Sequence, residues 1–137
     1  MKYSEKDLDI LARTIYGEAR GELYLYGITP LLAVANVIVN RYRKNFEKSI
    51  SEVCLAPYQF SCWNQNDVNY EIIAQKSIDD IVFGKCKEIA EKVLSEKWPD
   101  ITDGCDHYHA RAIKPKWAAG RIPKRIFGTQ YFYSIKN

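Results

Sequence analysis

The residues best suited to chemistry lie in one short stretch, Tyr16-Gly17-Glu18-Ala19-Arg20-Gly21-Glu22. It follows Leu8, Leu11, Ala12 and Ile15, whose i, i+3, i+4, i+7 spacing draws one apolar helix face. A carboxylate placed where such a helix ends is half-desolvated by the helix and half-open to a cleft. Desolvation disfavours the charged form, which suits a general acid. The flanking glycines let a ligand approach the backbone closely. On this motif alone the simpler reading is a solvated helix end, with Glu18 and Glu22 paired to Arg13 or Arg20.

Three further groups could carry chemistry. Pro57-Tyr58-Gln59-Phe60-Ser61-Cys62-Trp63-Asn64 alternates aromatic rings with amides and a hydroxyl. Such a surface stacks on sugar rings or bases while its amides bind hydroxyls. A loop tied down by its own aromatics explains it equally well. Cys105-Asp106-His107-Tyr108-His109 puts His107 and His109 two apart, hence on one side of a strand, with Cys105 also on that side. These are zinc-ligand types, but no H-E-x-x-H or similar motif accompanies them. Hydrogen-bonding structural histidines are the expectation, with no metal and no cofactor. Lys114-Pro115-Lys116-Trp117, with Arg121, Lys124 and Arg125, is either a solvated basic face or a contact for an anionic polymer. Nucleic acid binding would show a denser patch.

The elements that must position these groups are mostly helical. Ser4 with Asp7 three residues on is a weak capping box for the first helix. Gly17 and Gly21 should end that helix near Glu18. Thr29-Pro30 opens a second helix, Leu31 to Tyr42, apolar nearly all round and therefore central. Asn36 and Asn40 share one face of it, and their buried amides need loop backbone or one another. Ser49 to Glu52 caps a short helix that Pro57 stops. Residues 57–69 read as a structured loop. The spacing of Ile78 through Leu94 reads as helix, in two pieces around Gly84. Tyr108 to Ile113 and Arg125 to Ile135 look like two or three short strands. Helices first and a small sheet last make an α+β domain.

Composition bounds the rest. The chain has 137 residues, expected as one catalytic domain over 1–137. Hydrophobic residues at 47% and charged residues at 27% are those of a globular protein. The formal charge of +3 is too weak to argue a nucleic-acid partner. No apolar run is long enough for membrane insertion, and no secretory leader is visible at Met1 to Asp7. The four cysteines contain no C-x-x-C pair and read as buried thiols. A monomer made in the cytoplasm is expected.

The ordered combination of motifs resembles the cell wall hydrolase family typified by bacterial spore cortex-lytic enzymes. The resemblance runs over residues 8–133. It rests on Gly17-Glu18-Ala19-Arg20-Gly21-Glu22, the apolar helix ending Asn40-Arg41, and Gln59-Phe60-Ser61. It continues through Gly104-Cys105-Asp106-His107-Tyr108-His109, Pro115-Lys116-Trp117-Ala118 and Phe127-Gly128-Thr129-Gln130-Tyr131-Phe132-Tyr133. Gln130 stands where the family usually has His, and Cys105 replaces a small residue.

The resemblance implies a lysozyme-like fold, mainly helical with a small C-terminal antiparallel sheet. It implies peptidoglycan glycan strands as partner, cut at N-acetylmuramic acid on a bacterial wall. Glu18 would be the catalytic acid and base, and lytic transglycosylase chemistry would leave a 1,6-anhydro product. Glu22, Gln59, Phe60, Ser61, Trp63, His107, Tyr108, His109 and Trp117 would line the sugar cleft, with Tyr133 hydrogen-bonding near Glu18. The alternatives are a zinc amidase or peptidase using Cys105, His107 and His109, and a silent glycan-binding module. A leaderless wall enzyme suits spore, phage or wall-turnover roles alike.

Overall fold

A computed structural model describes residues 1–136. Six α-helices are followed by a three-stranded sheet: α1 Glu5–Ala19, α2 Leu23–Tyr26, α3 Thr29–Arg43, α4 Ile50–Leu55, α5 Val68–Ile73, α6 Ile81–Leu94, then β1 His107–Ala110, β2 Arg125–Phe127 and β3 Gln130–Tyr133. The strands are antiparallel in the order β1-β3-β2, so β1 is an edge. This is the lysozyme-like α+β arrangement expected, mainly helical with a small C-terminal sheet.

Local chemistry starts each helix. The Ser4 hydroxyl accepts from the Asp7 amide at 3.1 Å, and Asp7 accepts from the Ser4 amide at 3.0 Å, a complete capping box. The other Asp7 oxygen accepts from the Ser51 amide and hydroxyl at 2.9 and 2.6 Å. One carboxylate thus ties the starts of α1 and α4 together. Burial pushes the Asp7 pKa up, but the hydrogen bonds its carboxylate accepts from Ser51 and Ser4 outweigh it and the net shift is down.

α3 is the central helix, buried from Pro30 and Leu31 through Arg41 apart from Leu32. Its two amides find the loop backbone they need. Asn36 accepts from the Ile101 amide at 3.0 Å, and Asn40 donates to Asp100 at 3.0 Å and to the Cys105 carbonyl at 2.9 Å. α3 therefore holds the loop that leads into β1. α1 packs on α6, α3, α4 and α5, closing the main core around Leu11, Ile15, Val34, Ile38 and Ile89.

Two expectations need correction. α6 is one helix, not two around Gly84, and Ile78 lies before it. Asp80 caps α6 by accepting from the Val82 amide at 2.7 Å, and exposed Gly84 sits in the first turn, where little packing depends on it. The 57–69 segment is not all loop, since Ser61–Trp63 forms a 3-10 turn and α5 begins at Val68. α1 ends at Ala19, beside Glu18 as expected, with Gly17 inside its last turn. Gly17 also serves a contact. A Cβ there would stand 2.8 Å from Cys62 Cβ and 2.9 Å from its Sγ.

That contact carries a prediction. Gly17→Ala gains up to about 1 kcal/mol of helix propensity. Overpacking a filled core costs about 1–3 kcal/mol. The clash is with a buried side chain that cannot swing away, so the variant should melt several degrees lower. An unchanged Tm in thermal unfolding would refute the contact.

Candidate active site

Glu18 is the penultimate residue of α1 and is half-buried. Two donors reach its carboxylate. The Tyr108 hydroxyl donates to Oε1 at 2.5 Å, and the Cys62 backbone amide approaches Oε2 at 3.4 Å. Burial, and then the Glu18 charge, push the Tyr108 pKa well above the ordinary phenol value, so Tyr108 remains a donor at any working pH. Its ring stacks on Phe132 at 5.4 Å, which fixes where the hydroxyl points.

The turn that brings Cys62 to Glu18 is held from below. The Trp63 indole donates to the Thr14 hydroxyl on α1 at 2.9 Å, and Gly17 admits Cys62 against the helix. Trp63 is thus half-buried and anchored rather than free to stack. Phe60 is 2% exposed, which corrects the expectation that it faces sugar: it lies in the core under the Arg41 guanidinium at 5.1 Å. Ser61 and Gln59 remain exposed on this segment.

Arg41 links that segment to the sheet. Its Nε donates to the Asp106 carbonyl at 2.7 Å and an Nη donates to Gln59 Oε1 at 3.3 Å. Arg41, Gln59 and His107, with Phe46 and Pro57, line a cleft of about 430 Å³. The structure thereby brings Gln59 and His107 to one surface. Arg41 is a residue that the motif reading passed over except as the end of α3.

Asp106 was also missed as more than a spacer. It is fully buried and holds four partners: His107 Nδ1, Lys44 Nζ and the Ile135 and Lys136 amides, all at 2.8–2.9 Å. Burial pushes its pKa up, but the bonds from His107, Lys44 and the two amides pull it down further, to about 2. A depressed carboxyl stabilises the fold above its unfolded pKa of 3.8, and that contribution is lost as pH falls toward 2. The expected loss is about 2 kcal/mol. Urea unfolding at pH 5 and pH 2.5 should show it, and Asp106→Asn should shrink the difference by about that amount.

Glu22 sits in the turn after α1, but its Oε1 accepts from the Thr129 amide at 2.8 Å and hydroxyl at 2.7 Å. The β2–β3 turn, Gly128-Thr129, has φ +60° at Gly128, and a Cβ there would meet Glu22 Oε1 at 2.7 Å. Glu22 is committed to this hairpin. Glu22→Gln, whose amide oxygen can still accept, should keep near-wild-type turnover. A collapse of turnover without loss of Tm would make Glu22 a second catalytic carboxylate.

The sheet separates residues the sequence had grouped. Side chains alternate along β1, so Tyr108 faces α3 and Glu18, while His107 and His109 face the other way. On that outer face His109 and Trp117 are 5.6 Å apart, His109 and Tyr133 5.3 Å, and His107 and Trp117 5.0 Å. The tyrosine on Glu18 is therefore Tyr108. Tyr133 instead pairs its hydroxyl with His109 Nε2 at 2.8 Å. His109 Nδ1 lies 2.8 Å from the Ala110 carbonyl. Cys105 turns away into the core beside Val37 and Phe132, its thiol donating to the Thr102 carbonyl at 3.0 Å. Among the described residues no three metal-ligating groups converge. This arrangement removes the ligand set of the zinc alternative.

A helix-end glutamate, held by a tyrosine from a small sheet and an amide from an adjoining loop, defines a lysozyme-like domain. The chain belongs to the cell wall hydrolase family, whose model matches residues 29–133, from α3 to the end of β3. The helix that carries Glu18 lies ahead of that match. Sixty residues are 40% identical to the spore cortex-lytic enzymes of Halalkalibacterium halodurans and Bacillus cereus. That is 43% of this chain, but only 17% and 22% of those proteins' lengths. The fold is similar to the catalytic domain of the Bacillus cereus SleB protein, with TM-score 0.69 and 25% identity over 96% of this chain and 91% of that one. It is similar also to the catalytic domain of the germination-specific lytic transglycosylase SleB from Bacillus anthracis, with TM-score 0.72 and 26% identity over 95% of each. No helix among the described residues is long and apolar enough to cross a membrane.

Proposed function

We propose that the chain cleaves peptidoglycan glycan strands at N-acetylmuramic acid as a lytic transglycosylase, with Glu18 as acid and then base. The likeness to a lytic transglycosylase catalytic domain supports the reaction class. The observation that carries the mechanism is the commitment of Glu22 to Thr129, which leaves Glu18 without its nearest carboxylate neighbour in sequence.

A glycosidic oxygen leaves only once protonated. Glu18 gives its proton to that oxygen and the bond to C1 breaks. The charge then on Glu18 is met by the Tyr108 hydroxyl and the Cys62 amide, donors already in place. A two-carboxylate enzyme would next need a second carboxylate about 5 Å away, or further with a water between. Here the C6 hydroxyl of the same muramic residue attacks C1 and returns its proton to Glu18. The product is a 1,6-anhydro sugar, no water is consumed, and Glu18 is restored.

Mass analysis of products from purified peptidoglycan tests this. Anhydromuramic ends are expected. Reducing ends carrying one added water would convert the reading to a hydrolase, and binding without release would make the domain a glycan-binding module. The site of action is a bacterial wall.

A further inference from the structure

The basic and aromatic segment after β1 takes no part in the chemistry above. In the structure it folds into a pocket of about 490 Å³ on the outer face of the sheet. The floor is Tyr131, Tyr133 and His109, with Pro115, Ala118 and Ala119 at the side. The rim carries Arg111, Lys114, Lys116 and Arg121, and no Asp or Glu lines it. Among the described residues none of these four cations is paired with a carboxylate. Nearby Lys124 and Arg125, by contrast, both pair with Asp103.

This lining selects a ligand by chemistry. Amide and carboxylate side chains are the strongest acceptors for sugar hydroxyls, with tyrosine and histidine as further ones. The pocket has no amide or carboxylate side chain, although the Gln59 cleft has both. A long anionic polymer would be met by an extended basic track rather than a closed apolar floor. A short peptide with small apolar side chains and free carboxylates matches both halves: methyl groups on the aromatic and alanine floor, carboxylates on the Arg and Lys rim.

The position agrees with that ligand. Tyr108 on one face of β1 holds Glu18, and the next residue, His109, floors the pocket on the other face. β1 is one of the sheet's two edge strands, so a substituent of a sugar at Glu18 passes around it without crossing the sheet. Three or four extended residues span about 10–14 Å, enough to round one strand.

We propose that this pocket binds the carboxylates of the stem peptide borne by the muramic residue at the cleavage site. The enzyme then prefers peptide-bearing glycan over naked glycan. This rests on the glycan-cleaving reading, and the test keeps the two apart.

The test compares wild type with the Arg111→Gln, Lys114→Gln, Lys116→Gln triple variant on two substrates, intact peptidoglycan and the same strands stripped of peptide by an amidase. All three side chains are exposed, so folding should be kept, and Tm checks it. Wild type should show a KM about tenfold lower on peptide-bearing strands. The triple variant should lose that preference, with kcat and activity on stripped strands unchanged. Equal loss on both substrates, or no wild-type preference, overturns the pocket assignment while leaving glycan cleavage standing. No cleavage of either substrate by wild type sinks the underlying reading instead. Exposed Ile113 and Ile122 neighbour the rim, so binding of the wild type to anionic phosphatidylglycerol vesicles, lost in the triple variant with no change in KM, would reassign the surface to membrane and overturn the proposal.

Discussion

Glu18→Gln should lower turnover on purified peptidoglycan by about a thousandfold, the scale of a lost general acid. The substitution is nearly isosteric, and the residue is half-buried at a helix end, so Tm should hold. The Tyr108 hydroxyl can still donate to the remaining oxygen, which keeps the loop and sheet in register with α1. What disappears is the proton for the leaving oxygen and the base that takes one back from the C6 hydroxyl. Both halves of a one-carboxylate route fail together, so no partial reaction should accumulate. Binding to sacculi should persist, because the substitution leaves the lining of the Gln59 cleft unchanged. Undiminished product release would remove Glu18 from the mechanism.

Tyr108→Phe should lower kcat by about a hundredfold with little change in KM, the effect of deleting one preorganised donor. The ring keeps its stack on Phe132, so the packing cost is small. The hydroxyl at 2.5 Å is the closer of the two donors on Glu18, since the Cys62 amide lies at 3.4 Å. Its removal leaves the carboxylate formed at bond cleavage with one weak partner. If kcat is unchanged and only Tm falls, Tyr108 is a structural strut rather than a positioning residue.

The helical frame was legible because its signals are local and redundant. The apolar run from Leu31 to Val39 could only be an enclosed helix, and buried Asn36 and Asn40 had to find polar partners, which the loop after Pro99 supplies. Glu18 was legible as a helix-end carboxylate. Its partners were not, because Tyr108 comes from ninety residues away and Cys62 acts through its backbone. The alternation that put His107 and His109 on one side of β1 also puts Tyr108 on the other. Grouping all three in a single cleft overlooked that rule. Gly17 shows a different limit. A glycine in a helical pattern marks either a break or a close approach, and only the distant partner, here Cys62, decides which. Phe60 shows the same limit, since an aromatic in a polar loop faces solvent or core according to its distant partners, and here the Arg41 guanidinium covers it.

The four cysteines are all buried thiols, at four different places in the molecule. Cys54 belongs to α4, Cys62 lies beneath Glu18, Cys86 faces in from α6 and Cys105 sits behind the sheet. Burial pushes Cys54 and Cys86 up to about 12 and Cys105 to about 11, and Cys62 rises further. The reactive thiolate is therefore scarce in the closed fold, and alkylating reagents cannot reach it. Each thiol becomes visible to such a reagent only when its own neighbourhood opens. The molecule thus carries four built-in clocks, and the order in which they are labelled would record which part of the fold lets go first.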